Sequence, residues 1–362
     1  MKFIWLTDEY SKEWDNIVKI SNDAWLFHFY DWLQSTENVW NLKSISFLVE
    51  NNGEIVGIFP LQIHKTNRLI KSIFMGSAGA AIKNGINPSF RIKLLNEMYK
   101  HAEAIGKKYG SPFIEVYIPP LSNSSLNNQR GINPLINFSY MDISTQTWIV
   151  DLYQTEEILF QNLSHDARIN IRNAKNIGYK LQKIQSINEI DKYYQIHQET
   201  YHRTGAIPHP KEYFLSIYKN ICEKGYGTIW EALDHENIPI AFMIVGLFKK
   251  RANYIAGCCK TENLNSGVNY LLQYNSMLWA KSQGAKWFEN GEAFPNIRSG
   301  KLRGLSIFKE KFGGELYRFY KGRLDLTEKS NRNGIFELTK NYFRDLLHSI
   351  KSYFKTKKIL SI

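Results

Sequence analysis

The sequence predicts an α/β (α+β) chain of two tandem modules, each a mixed, mostly antiparallel sheet flanked by helices. Its 362 residues exceed what one ordinary core takes in and suit two domains. Hydrophobic residues at 43% and charged residues at 22% are those of a chain that buries a core, which excludes disordered and fibrous classes. The third observation is that one order of elements is written twice.

The first copy runs from Ser46 to Ile118. A strand SFLVE, a turn NNG, a second strand EIVGIFPLQIH and a third strand LIKSIFMG lead into a glycine-bearing loop. Asn52-Gly53 supports a hairpin because both residues tolerate positive φ. Leu94, Leu95, Met98, Ala102 and Ile105 then recur at helical spacing, with Gly106 or Gly110 as a stop, before the strand PFIEVYI. The second copy, Gly227 to Phe294, reads TIWEALD, turn HEN, IPIAFMIVGLF, ANYIAGCCK, loop TENLNSG, the helix VNYLLQYNSMLWAKSQG and the strand AKWFENGEAF. Leu271, Tyr274, Met277 and Leu278 lie on one face of that helix, which Gly284 stops. Two segments of about 70 residues in one order point to duplicated modules.

The predicted boundaries are 1–146 for the first module, with a connecting segment 120–146 rich in turn formers, 147–330 for the second, and 331–362 for a C-terminal basic amphipathic helix. Within the second module, Thr155 before Glu156 and Glu157 marks a helix start.

Cysteine chemistry contributes little. Cys258 and Cys259 are neighbours that a strand would send to opposite faces, so a disulfide framework with Cys222 is not expected, and no histidine spacing makes a metal site. Charge within the first ten residues argues against a secretory leader, no apolar run approaches a membrane span, and a cytoplasmic location is expected. A formal charge of +12 implies attraction to polyanions without choosing among RNA, phosphorylated small molecules and an anionic leaflet. The stretch 331–362 places Phe336, Phe343, Leu347, Ile350 and Phe354 near one side of a helix with cations elsewhere. It is a candidate either to pack on the second module or to touch an anionic membrane face.

Chemistry-bearing residues cluster in three places. In LSHDARINIRNAKNIGYKL, Arg168, Arg172 and Lys175 stand at i, i+4 and i+7 on one helix face, either a solvated surface or a phosphate-binding stripe. The other two are ETYHRTG and LSIFKEKFGGEL. Taken in this order, the helix ARINIRNAKNIG, the Thr, Arg and Gly of ETYHRTG, and the Phe-Lys, Phe and Gly of the last segment resemble the FemAB family, aminoacyltransferases that build peptidoglycan interpeptide bridges, within the GNAT-fold acyltransferases. The resemblance is clearest from about Trp148 to Leu326 and implies two GNAT-like modules.

It also implies roles. Arg203 resembles the arginine that holds the diphosphate of a nucleotide-linked acceptor, and Phe308 and Lys309 resemble the pair near the donor ester, where the lysine would stabilise a tetrahedral oxyanion. Glu289 and Glu292, on the last strand of the second module, are candidates to take the amine proton. In a regular strand their odd spacing would point them apart. The loop ENLNSGVNY carries Gly267 but lacks the full glycine pattern with which such folds bind the pyrophosphate of coenzyme A. The donor is therefore aminoacyl-tRNA or acyl-CoA, with no tightly bound cofactor. The expected function is N-acyl transfer to an amino group of a cell-envelope sugar or peptide precursor. The alternatives are an acyl-CoA-dependent N-acetyltransferase acting on an amino sugar or small amine, and a noncatalytic RNA-binding protein.

Overall fold

The computed structural model describes residues 1–64, 70–71, 79–126, 128 and 131–327, so the basic helix expected over 331–362 and, apart from Ile70 and Lys71, the expected strand LIKSIFMG lie outside the described residues. The chain opens with β1 (Lys2–Trp5), α1 (Ser11–Ile20), α2 (Tyr30–Trp40) and β2 (Leu42–Ser44). Then β3 (Phe47–Asn51) turns through Asn52 (φ 53°) and Gly53 (φ 80°) into β4 (Glu54–Phe59), the hairpin read from the sequence. The next expected strand is not continuous. Pro60 has no N–H for the ladder, and beyond it β5 (Gln62–His64) joins a different sheet with β6 (Ile70–Lys71), while β7 (Ala81–Ile82) returns to β4.

Helix α3 (Pro88–Lys108) starts with proline at its first position behind an Asn87 side chain that accepts the Ser89 N–H. Of its two expected stops, Gly110 is the one with positive φ (63°). Gly106 lies inside the helix, where an added Cβ would come within 2.4 Å of Leu326 and 2.9 Å of Ile114 on β8 (Phe113–Tyr117), so glycine serves close packing there. The segment 120–146 contains α4 (Asn123–Leu126) and β9 (Met141–Asp142), and β10 (Thr145–Asp151) already begins within it.

After α5 (Glu156–Gln161), capped by Thr155 as expected, come α6 (His165–Ile177), β11 (Lys180–Lys183), α7 (Ile190–Thr204) and α8 (Lys211–Ile217). The second copy follows in its predicted order as β12 (Gly227–Leu233), β13 (Pro239–Phe248), β14 (Arg251–Cys259), α9 (Val268–Ser282) and β15 (Trp287–Ala293). The chain continues as α10 (Lys301–Glu310), β16 (Glu315–Phe319) and β17 (Lys321–Asp325).

Among the described residues three sheets result, in the orders β1-β3-β4-β7, β2-β5-β6-β8-β17-β9 and β11-β12-β13-β14-β15-β10-β16. Both copies contain one parallel pair, β6 with β8 and β14 with β15, among antiparallel neighbours, so the duplicated α/β modules read from the sequence are present. The end of the chain departs from the expected division at 147–330. β17 leaves the second module and pairs with β8 and β9 of the first.

One core packs Trp14, Trp25 and Trp32 of the N-terminal helical region against Tyr193, Phe214 and Phe242, and so joins the two modules. Cys258 lies in that core and Cys259 in the one under α9, the opposite faces that a strand predicts. No helix among the described residues is long and apolar enough to cross a membrane.

Burial holds three imidazoles of the first core neutral. His28 and His209 are pushed down to about 4 and His197 to about 3, in each case chiefly by desolvation. Below the ordinary histidine value the unfolded chain takes up protons that the folded chain refuses, so stability falls as pH drops from about 6.5 toward 4, by up to about 1.4 kcal/mol per pH unit for each histidine. Urea midpoints at about pH 7.5 and about pH 5 should show the loss, and a flat midpoint rules out neutral imidazoles.

Candidate active site

The site is made by two strands that part. β14 and β15 run parallel and pair only over Arg251–Asn253 against Trp287–Glu289. Beyond that point β14 stays with β13 as far as Cys259 and β15 stays with β10 as far as Ala293, which leaves a wedge between them. The β14 ladder slips between Tyr254 and Ala256, and Tyr254 to Gly257 are half-buried along the wedge.

On the other side β15 carries an extra residue. Thr147 lies opposite Glu292 and Ile149 opposite Glu289, so two steps on β10 match three on β15, and Gly291 takes φ 85° at the bulge. The bulge reverses the alternation. Glu289 and Glu292, which a regular strand would point apart, both act on Lys309.

Lys309 projects from the last turn of α10, only 6% exposed, and its Nζ donates to the Glu292 carbonyl at 2.7 Å and lies 5.7 Å from the centre of the Tyr254 ring. Desolvation lowers its proton affinity to about 8 against the opposing pull of Glu289 and Glu292. Glu289 is buried and accepts a hydrogen bond from Thr147 Oγ1 at 2.9 Å. Desolvation raises it to about 7, which Thr147 and Lys309 only partly counter. The wedge thus holds a buried carboxyl and a buried amine, both poised near neutrality. Glu292 is tied in turn to Lys321 Nζ at 2.6 Å. Two amides seat α10: Gln273 donates to Asn290 Oδ1 at 2.7 Å, and Asn290 Nδ2 to the Lys309 carbonyl at 3.3 Å.

The remaining candidates lie elsewhere around the same sheet. Phe308 packs its ring 5.1 Å from Tyr270 and 5.0 Å from Phe312, and so seats α10 against α9. Arg203, at the end of α7, donates from Nη1 to Thr261 Oγ1 (2.8 Å) and the Cys259 carbonyl (3.2 Å). Thr200 Oγ1 exchanges two bonds with the Cys259 backbone, and Glu199 accepts the Thr261 N–H, so ETYHRTG fastens α7 to the far end of β14. On α6, Arg168 donates to the Gln161 and Leu163 carbonyls and so closes α5. Arg172 lies 5.5 Å from the Phe160 ring centre, and Lys175 is exposed. The structure therefore gathers Lys309, Glu289 and Glu292 at the wedge, leaves Arg203 at the other end of β14, and puts the α6 cations beside α9. Thr147, Tyr254 and Lys321 were not singled out from the sequence. Their only signal is pairing across distant strands, which spacing along the chain does not display.

The FemAB family matches residues 137–231, the stretch that holds α6 and ETYHRTG. Over that stretch the chain is similar to the FemAB family. Its fold is similar to that of FemX, with a TM-score of 0.66 at 15% identity over 93% of this chain and 99% of that one. It is similar also to L-PGS from Bacillus licheniformis, with TM-score 0.57, 13% identity and coverage of 92% and 96%. A tandem GNAT protein from the clavulanic acid biosynthesis pathway gives TM-score 0.57 and 11% identity, over 91% and 99%. Comparison with curated protein sequences gives no match. At these identities the likenesses establish the fold, the tandem GNAT arrangement expected of a FemAB-like chain.

An added Cβ at Gly291 would lie 2.9 Å from Lys309 Nζ, on a backbone conformation that costs an L-residue about 1–2 kcal/mol. Gly291→Ala should therefore lower unfolding stability by about that amount in a denaturant titration, and a change below about 0.5 kcal/mol would mean that the bulge is not strained against substitution.

Proposed function

We propose that this chain is an N-acyltransferase that moves an aminoacyl or acyl group onto an amino group of a cell-envelope sugar or peptide precursor. The observation that carries this is that a buried carboxyl, Glu289, and a buried ammonium, Lys309, lie within each other's electrostatic influence at the parting of β14 and β15 in a FemAB-like, GNAT-fold chain. Acyl transfer to an amine needs little more. The acceptor nitrogen must lose a proton, it must be aimed at an activated carbonyl, and the oxyanion must be stabilised.

Glu289 takes the proton as the nitrogen bonds to the carbonyl carbon. Lys309, positive at neutral pH, faces the negative charge that builds on the carbonyl oxygen. Collapse breaks the bond from carbon to the donor's oxygen or sulfur, which leaves with a proton, and an amide remains. Arg203 has five N–H donors, and its hydrogen bonds to Thr261 and Cys259 engage one nitrogen, so it suits a phosphate of a nucleotide-linked acceptor. Arg168, Arg172 and Lys175 offer a cationic face for a polyanionic donor, Arg168 through what its helix-closing role leaves free.

The start of α9 bears on the donor. In the second module this is where a coenzyme A pyrophosphate would meet backbone N–H groups, yet an added Cβ at Gly267 would stand 2.3 Å from the Asn170 carbonyl oxygen of α6. A helix already covers that approach, which supports an aminoacyl-tRNA donor over acyl-CoA.

Incubating the protein with a nucleotide-linked envelope precursor and either aminoacyl-tRNA or acyl-CoA, followed by intact mass analysis of the precursor, tests the proposal. A mass increase with aminoacyl-tRNA is expected. Turnover only with acyl-CoA would replace the donor, and tRNA affinity with no transfer would favour an RNA-binding protein. Lys309→Ala should lower kcat by about 10²–10³-fold with little change in acceptor affinity, and an unchanged kcat removes Lys309 from the chemistry.

A further inference from the structure

Lys321 stands outside the module that holds the wedge. It is the first residue of β17, the strand that crosses to the first module, where it lies opposite Tyr117 of β8. Its backbone is fixed on three sides: its N–H donates to Ser144 Oγ, and its carbonyl accepts from Ile143 N–H at 3.1 Å and from Asn133 Nδ2 at 2.8 Å. From this anchored position its side chain passes the Phe319 ring, 4.5 Å from the ring centre, and ends 2.6 Å from Glu292 Oε1.

Four charged groups therefore alternate in sign through the site: Glu289, Lys309, Glu292 and Lys321. They come from three elements, β15, α10 and β17, and the groups packed around them from β14 and β10 are Tyr254 and Thr147. Glu292 faces two ways. Its backbone carbonyl binds Lys309 Nζ, while its carboxylate binds Lys321.

We propose that Lys321 is a positioning residue that neutralises the Glu292 carboxylate from the first module and so sets the pH range in which Glu289 and Lys309 work as a pair. The inference rests on the acyltransferase reading above for its consequence, though not for its electrostatics. Without Lys321 the Glu292 carboxylate has one cation left to attend, Lys309, which it already attracts, and one anion to oppose, Glu289. Glu289 also loses the direct attraction of Lys321. Lys309 then keeps its proton to higher pH and Glu289 ionises at higher pH, so both move the same way. Because the anchor of Lys321 belongs to the first module, any shift of that module against β15 would act on the same pair.

The test is Lys321→Met, with Lys321→Arg and Glu292→Gln beside it. Both limbs of the kcat–pH profile should move to higher pH by about one unit in Lys321→Met, Lys321→Arg should restore the parent profile, and Glu292→Gln in the Lys321→Met background should reverse the shift. A Lys321→Met protein whose kcat falls at every pH with neither limb displaced overturns the proposal, since a merely structural lysine would behave so. The Lys309 side chain is also followed directly by carbon-13 NMR of lysine ε-carbons, assigned by the signal that Lys309→Ala removes. An upward shift in its titration supports the proposal, and an unmoved titration ends it even where no donor gives turnover, which would instead count against the acyltransferase reading. If Lys321→Met does not fold, Glu292→Gln alone decides. It should lower the Lys309 titration, and no change overturns the proposal.

Discussion

One extra residue in β15 makes the site. An alternating strand would send Glu289 and Glu292 to opposite faces, and Lys309 could then meet only one carboxylate. The bulge at Gly291 restores a common direction and also supplies the space that Lys309 Nζ occupies. Burying an ammonium is costly. The carbonyl of Glu292 and two nearby carboxylates offset part of that cost, but a well-packed apolar trio would have served stability as well or better. Such a cluster is better explained by what it does at the wedge than by what it adds to folding.

The sequence shows those parts of the fold that local chemistry dictates. Asn52-Gly53 made the hairpin, Thr155 the cap of α5, and the apolar stripe Leu271, Tyr274 and Met277 buried as a helix face. Pro60 was equally visible, and its missing N–H explains why β4 and β5 separate, yet an apolar run on both sides reads as one strand. The crossing of β17 was hidden for a different reason. KGRLD is short and polar, and its partners Phe113–Tyr117 lie about 200 residues earlier, so only the assembled sheet reveals the pairing. Lys309 and Glu289 are candidates through a resemblance and a position in the layer. Their shared direction was not, although a glycine inside a strand is itself a sign of a bulge.

The same motifs also show why a pattern along the chain does not separate support from recognition. Glu199, Thr200 and Arg203 occupy successive turns of α7 and close on the backbone of Cys259 and Thr261. These contacts tie α7 to the end of β14, on one side of the wedge. Arg168 likewise uses one nitrogen to close α5. A cation anchored in this way has lost side-chain freedom before any ligand arrives, so less entropy remains to be given up on binding a phosphate.

The two copies differ, among the described residues, in what surrounds the place where strands part. The first module parts its strands in the same sense: β6 pairs with β8, and the chain then returns to β4 as β7 in another sheet. There, however, the Gly79 N–H donates to the Tyr117 carbonyl, and the Tyr99 hydroxyl lies where a Gly79 Cβ would be, with Phe138 stacked on the Tyr99 ring at 4.1 Å. Among the described residues, aromatic packing lies beside that strand pair, and charge occupies the wedge of the second module. The first module presents strand β8, and β17 binds to it with Lys321 at the end nearest Glu292. The first module thereby becomes the mount from which one charge reaches the wedge of the second.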